Sequence, residues 1–233
     1  MNETASYYQS QTALRNSEER ASFVKKTYLN LALAVAAFAG LEAFLLSWPP
    51  ALELAAAMTQ GRNWLIVMLA LVGVSWLASS MSQSPKSLGV QYAGLALYVG
   101  AMAVVMMPLL ILANQIAPDT IIQAAVLTGA MTVGLTCTVI FTGSDFSFLR
   151  SVLAIGFPVS LGIIVCAVIF GFDLGLWFSA AMIALASASI LYETNAIFKN
   201  YRGDQYVAAA LGLFSSVVML YFYILRVLLS QRR

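Results

Sequence analysis

Seven stretches of this chain stay apolar for long enough to cross roughly 30 Å of hydrocarbon as helices. They run near Thr27–Leu46, Asn63–Ser80, Leu88–Ala113, Thr120–Thr142, Phe148–Gly171, Leu174–Phe198 and Tyr206–Leu229. The links between them are short, so neighbouring helices are expected to run antiparallel. Gly171-Phe172-Asp173 divides the fifth span from the sixth. Asp173 is an N-cap candidate there, and Asp119 is another for the fourth span. The pattern predicts an all-α, polytopic membrane protein. A polar cytoplasmic tail covers 1–26, and a seven-helix transmembrane domain covers 27–230. The tail is rich in Ser, Gln, Asn and Glu and has no apolar segment, so it does not read as a cleavable signal. It is expected to be a disordered leader that fixes topology; the sharper alternative is a handle for a cytoplasmic partner. No sizeable extramembrane domain is expected, and no internal repeat supports an inverted-repeat transporter.

Composition agrees with this pattern. Of 233 residues, 61% are hydrophobic and 9% are charged, against roughly 25% charged in soluble domains. A net charge of +2 gives no reason to expect nucleic acid. Cys137 and Cys166 both lie in apolar spans, where a thiol is a small packing residue. Histidine is absent, which excludes HExxH metalloproteases, Ser-His hydrolases and histidine-ligated zinc or haem. The seventh span has no lysine for a retinal Schiff base. Arg15, Arg20, Lys25, Lys26, Lys86, Arg150, Lys199 and Arg202 fall on the side of the N-terminus. Arg62, Arg226, Arg232 and Arg233 fall on the other. That bias predicts a cytoplasmic N-terminus and a periplasmic C-terminus. A re-entrant last segment is the alternative that would return the terminal arginines to the inside.

Glu193, in the run SASILYETNAIF, reads as the only acidic residue well inside a membrane-length apolar helix. A charge at that depth costs at least a few kcal/mol, so the side chain is expected to face protein or a water-filled cavity. Ser189, Ala186 and Met182 share its helix face. No Lys or Arg lies deep in a span to pair with it, so a hydrogen bond from the protonated acid to a hydroxyl or carbonyl is expected. The plain alternative is a satisfied interhelical contact with no further role. In the seventh span Ala208, Gly212 and Ser216 recur one turn apart, a small-residue stripe that lets helices approach closely. Thr128, Thr132 and Thr136 form another stripe on the fourth span. They either line a polar path or, as the preferred reading, bond back to their own helix. Pro108 and Pro158 are candidate kinks. Ser215 and Ser216 lack a histidine or lysine base, so an intramembrane enzyme is a poor reading.

Several runs resemble the Bax inhibitor family of membrane proteins. FTGSDFSFL (141–149), with Asp145, Phe146 and Ser147, is similar to the family's link between the fourth and fifth spans. LYETNAI (191–197), with Tyr192 and Thr194, resembles its signature at the end of the sixth. AALGLFSSVVMLYFYILRVL and MMPLLILA resemble its last and third helices. The resemblance implies six helices bracketing a central seventh. It also implies, in channel-like members, two aspartates on the sixth and seventh helices that form a proton-sensitive site gating a slow calcium leak. Carried over by position, these fall on Glu193 and Ser216. No acidic residue occurs in the seventh span, so the second carboxylate is missing in any register. The arginine that such members bring from the second helix is absent from WLIVMLALVGVSWLASSM. Two close carboxylates titrate as a pair and can hold a divalent cation; one Glu and one Ser do neither well. The Glu-then-Ser arrangement resembles the bacterial YccA-like branch, inner-membrane proteins that bind and modulate the membrane-anchored protease FtsH. The resemblance therefore implies a non-enzymatic FtsH modulator. The alternative is a pH-sensitive calcium leak with Glu193, Ser216 and Ser189 as the sensing group and Glu193 as a weak calcium contact. No cofactor is expected beyond calcium as a permeant ion. The expected partners are membrane lipids and FtsH.

Overall fold

The computed structural model describes residues 2–60, 63–84, 87–199, 201 and 204–232, with side chains from Glu18 onward. Among them are eight helices: α1 (Asn2–Ser47), α2 (Pro50–Thr59), α3 (Asn63–Ser82), α4 (Leu88–Ile116), α5 (Asp119–Thr142), α6 (Leu149–Phe170), α7 (Gly175–Lys199) and α8 (Tyr206–Ser230). All except α2 are long and apolar enough to cross a membrane. The chain is a multi-pass membrane protein.

The seven spans fall where the hydrophobic pattern puts them; the extramembrane parts differ. The backbone from Asn2 continues α1 as helix, so the segment expected to be a disordered leader is a helical extension of the first span. Arg20 and Phe23 belong to the bundle. Arg20 donates from Nε to the Phe198 carbonyl at 3.1 Å and from Nη1 to the Tyr201 carbonyl at 2.7 Å. These are free carbonyls at and just past the end of α7, where a cation also meets the negative end of the helix dipole. Phe23 is 2% exposed.

Helix α2 was read as part of a link. Trp48-Pro49-Pro50 stops α1 and starts α2 with proline in the first turn. Ala51, Ala55 and Met58 then form its buried stripe. Asp119 is the first residue of α5, behind Pro118, and makes no capping bond. Asp173 lies before Leu174 and so does not cap α7, which begins at Gly175. The αL glycines Gly143 and Gly171 close α5 and α6 instead. Pro108 and Pro158 lie within unbroken helices. Of the arginines and lysines used for orientation, Arg62, Lys86, Arg202, Arg233 and the Arg15 side chain lie outside the described residues.

Helix α8 is the axis of the bundle. In its most apolar stretch 67% of residues are buried, against 11 to 39% in the other six spans. This is the central last helix expected from the sequence. It is continuous for 25 residues, about 37 Å at ~1.5 Å per residue, long enough to cross a ~30 Å hydrocarbon layer without a break. Phe214 anchors it, edge-on to Phe38 of α1 and Tyr98 of α4.

Helices α3 and α4 pack backbone to backbone at Gly94. A Cβ there would meet the Ala78 carbonyl at 2.7 Å, Ser82 Oγ at 2.8 Å and Met81 Cβ at 2.9 Å. Gly94→Val is expected to separate the two helices and lower stability by about 1–3 kcal/mol. Thermal unfolding in detergent measures this, and an unchanged midpoint would contradict the close approach.

Candidate functional site

The site lies where α7 crosses the first half of α8. Ser189, Ala186 and Met182 of α7 are buried on one face, with Glu193 one turn further on and partly buried. On α8, Ala208 and Ser216 are buried, and Gly212 lies between them. Glu193 rests on Gly212: a Cβ at residue 212 would stand 2.9 Å from Glu193 Oε2 and 3.0 Å from its carboxyl carbon. The absent side chain is the space the carboxyl occupies. Tyr201, in the link after α7, donates its hydroxyl to Glu193 Oε2 at 3.3 Å. The expectation had the protonated acid as donor; here Glu193 pairs with a hydroxyl but accepts from it.

Ser216 takes no part in binding Glu193. Its hydroxyl lies 2.7 Å from Ser189 Oγ and donates to the Gly212 carbonyl at 3.2 Å. Ser189 is then the donor to Ser216. The structure brings Glu193, Ser189 and Ser216 into one seam, as two separate contacts one turn apart.

The two motif runs meet at the end of α7. Asp145 Oδ1 accepts from Ser147 N at 3.0 Å, from Ser147 Oγ at 2.6 Å and from Asn195 Nδ2 at 3.2 Å. Lys199 Nζ is 3.6 Å away, an exposed pair that adds little. The Ser147 hydroxyl and amide, with smaller help from Asn195 and Lys199, hold Asp145 at a pKa of about 2. Phe146 is half-buried beside them, as is Tyr192 on α7. Thr194 is fully buried. Tyr28 of α1 faces Thr194 and Thr136 without closing a hydrogen bond to either.

Two expectations need correction. Glu193 is not the only acidic side chain deep in a span. Glu42 of α1 is 5% exposed, and neither carboxylate oxygen has a hydrogen-bond partner. It faces Tyr221 of α8, about 14 Å along that helix from Gly212 at ~1.5 Å per residue. The signal was in the sequence: Glu42 lies four residues inside the end of the first span, Thr27–Leu46. Thr128, Thr132 and Thr136 do not bond back to α5; all three hydroxyls are buried without a partner. Thr138 and Thr142, further along, do bond back, to the Gly134 and Thr138 carbonyls. The first three face neighbouring helices; the last two are exposed. Cys137 and Cys166 are both free. No three His, Cys, Asp or Glu side chains gather among the described residues.

The profile of the family described as "Inhibitor of apoptosis-promoting Bax1" matches residues 20–233. The chain belongs to the Bax inhibitor family. The match begins at Arg20, the residue that ties the start of the bundle to α7. A Pseudomonas aeruginosa protein named "Uncharacterized protein PA2604" is 28% identical over 229 residues, 94% of each chain. The family match supports the resemblance drawn from the Asp145–Ser147 and Tyr192–Thr194 runs, which the fold joins through Asn195.

Two titrations test the site. Burial, and then the charge of Glu193, raise Tyr201 above the ordinary phenol value. Glu193→Gln removes the second cause and leaves the first. Ultraviolet difference titration, using Tyr201→Phe to isolate this phenol, should show its midpoint falling toward, but not to, ~10. An unchanged midpoint would mean that the contact is absent. Asp145 has the opposite sign. Its pKa is depressed when folded, so the stability it adds is present above the unfolded value near ~3.9 and lost as pH falls through about 2. Asp145→Asn should flatten that acid limb of the unfolding curve.

Proposed function

We propose that this chain is a non-enzymatic bacterial inner-membrane protein of the YccA-like kind, which binds and modulates the membrane-anchored ATP-dependent protease FtsH. The observation that carries this reading is the seam of α7 on α8. Glu193 lies against a glycine, and Ser216, at the position of the second carboxylate, is bonded to Ser189. A single carboxyl with a tyrosine donor is a poor divalent-cation site. What remains is a helical bundle with an extension of its first helix reaching to Asn2. With a cytoplasmic N-terminus, that extension stands where an inner-membrane protease exposes its soluble part. Arg20, bonded to the end of α7, and buried Phe23 at its root fix the angle at which it leaves the bundle.

The experiment is FtsH turnover of a membrane substrate in cells that lack or overproduce this chain, with full-length protein compared with a form lacking residues 2–17. Overproduction should slow turnover, and the truncation should remove most of that effect while leaving the bundle in the membrane. Identical turnover in all of these cells would contradict the proposal.

A second reading, a pH-sensitive calcium leak, is favoured by one observation. Two carboxyl side chains, Glu193 of α7 and Glu42 of α1, face different halves of α8, and Glu42 has no hydrogen-bond partner. In proteoliposomes that reading requires calcium flux above empty vesicles, lost on Glu193→Gln. Correctly folded protein without flux eliminates it.

A further inference from the structure

A cavity of about 700 Å³ lies between α3, α4, α6 and α8, with Met182 of α7 also in its wall; Glu193, Ser189, Gly212 and Ser216 do not line it. Its walls are almost wholly apolar, with Leu71, Met102, Val105, Ile164 and Met219 among them. Such a chamber has the size and the lining of a small-molecule site. Polar side chains are few, with Ser75, Ser160 and Tyr223 in the lining besides those at its two ends. At the inner end, Tyr98 and Ser215 hydrogen-bond to each other at 2.7 Å, which leaves a closed, satisfied floor. At the mouth stand Arg226 of α8 and Asp173 of the turn before α7, with Trp64 at the start of α3. Among the described residues Arg226 has no carboxylate within ion-pair distance.

The dimensions fix the occupant. From Ser215 to Arg226 the lining of α8 covers about 16 Å at ~1.5 Å per residue. That is half of a ~30 Å hydrocarbon layer, the depth of one leaflet. Arg226 is four residues from the end of α8 and Trp64 is the second residue of α3, positions near the ends of spans, where arginine and tryptophan meet lipid headgroups. The chamber also opens sideways: Val72 on α3 and Leu161 on α6, both in its wall, are 50% and 39% exposed. An acyl chain can enter from the bilayer without passing through water. A hydrated cation would meet an apolar wall and a guanidinium, so this is not an ion vestibule.

We propose that this cavity is a lateral lipid site, holding one acyl chain of an aminophospholipid from the leaflet on the C-terminal side. The phosphate lies against Arg226 and the ammonium against Asp173. The guanidinium suits a phosphate oxygen. The carboxylate at the same mouth disfavours a headgroup with negative charge alone and favours one that also carries an amine.

The test is lipid retention by the full chain purified from bacterial membranes in mild detergent, read by native mass spectrometry and by lipid extraction. Wild type should keep a single phosphatidylethanolamine. Arg226→Gln removes a charge-assisted bond to phosphate and should weaken retention roughly tenfold or more. Ser160→Phe, which fills the chamber from α6, should abolish it. Arg150→Gln, the same loss of charge at the other end of the bundle, should change nothing. Should Ser160→Phe not fold, Val72→Trp blocks the sideways opening from the exposed rim. The proposal is overturned if wild type carries only detergent or free fatty acid, if phosphatidylglycerol is retained equally well, or if folded Arg226→Gln and cavity-blocking variants keep the lipid as wild type does.

Discussion

A carboxyl group lies against the backbone of the central helix because residue 212 has no side chain. Gly212 gives Glu193 its place on α8, and the helix seam is organised by this contact. One turn further on, Ser189 and Ser216 close a hydroxyl pair that ends on the Gly212 carbonyl. Polar groups at membrane depth have no water to fall back on and must find partners within the protein. Here glycine, serine and tyrosine supply them with little bulk. The same small residues let α7 and α8 come close enough for α8 to sit in the middle of the bundle.

From that axis the rest of the architecture follows. The end of α7 is held twice. On one side Arg20 takes its last carbonyls; on the other Asp145 takes Asn195. Both clasps lie at the side of the N-terminus and keep Tyr201 near Glu193. The other half of α8 is packed differently. Glu42 stands buried beside Tyr221 without a hydrogen-bond partner, and the chamber between α3 and α6 keeps the helices apart up to Arg226. Toward its N-terminal side the bundle is tied by these two clasps, although the Thr27, Tyr28, Thr136 and Thr194 hydroxyls there stay unbonded; toward its C-terminal side it is opened by the chamber.

Much of this was legible in the residues. Seven apolar stretches of membrane length can form little else, and i, i+4 spacing alone places Ser189 and Glu193 on one helix face. The motif runs identified the family. What was not legible depended on distance in the sequence. Nothing local says that Asp145 accepts from Asn195, or that Arg20 reaches past α7 to the carbonyl of Tyr201. Helix α2 was missed because a ten-residue helix with an alanine stripe looks like a link when only membrane-length runs are sought. Glu42 lies close to the end of its own helix, so its burial is not evident locally. Burial there depends on which neighbour covers it, and that neighbour is α8, some 180 residues later in the chain. The threonine stripe misled for the opposite reason. Back-bonding is a sound local expectation, but Thr128, Thr132 and Thr136 face other helices and stay unbonded.

The register of α7 on α8 decides whether residue 216 meets Glu193 or Ser189, and so whether a carboxylate pair could ever form at this position. Cysteine cross-linking measures it directly. In a background with Cys137 and Cys166 replaced by alanine, Ser189→Cys with Ser216→Cys should form an intramolecular disulfide almost completely under a membrane-permeant oxidant, since the two hydroxyls are 2.7 Å apart and disulfide geometry demands close Cβ atoms. Ser189→Cys with Ser215→Cys should not, because Ser215 points to Tyr98. No bridge at 216, with efficient bridging to a cysteine at 212 or 220 instead, would shift the seam by a turn and contradict the account.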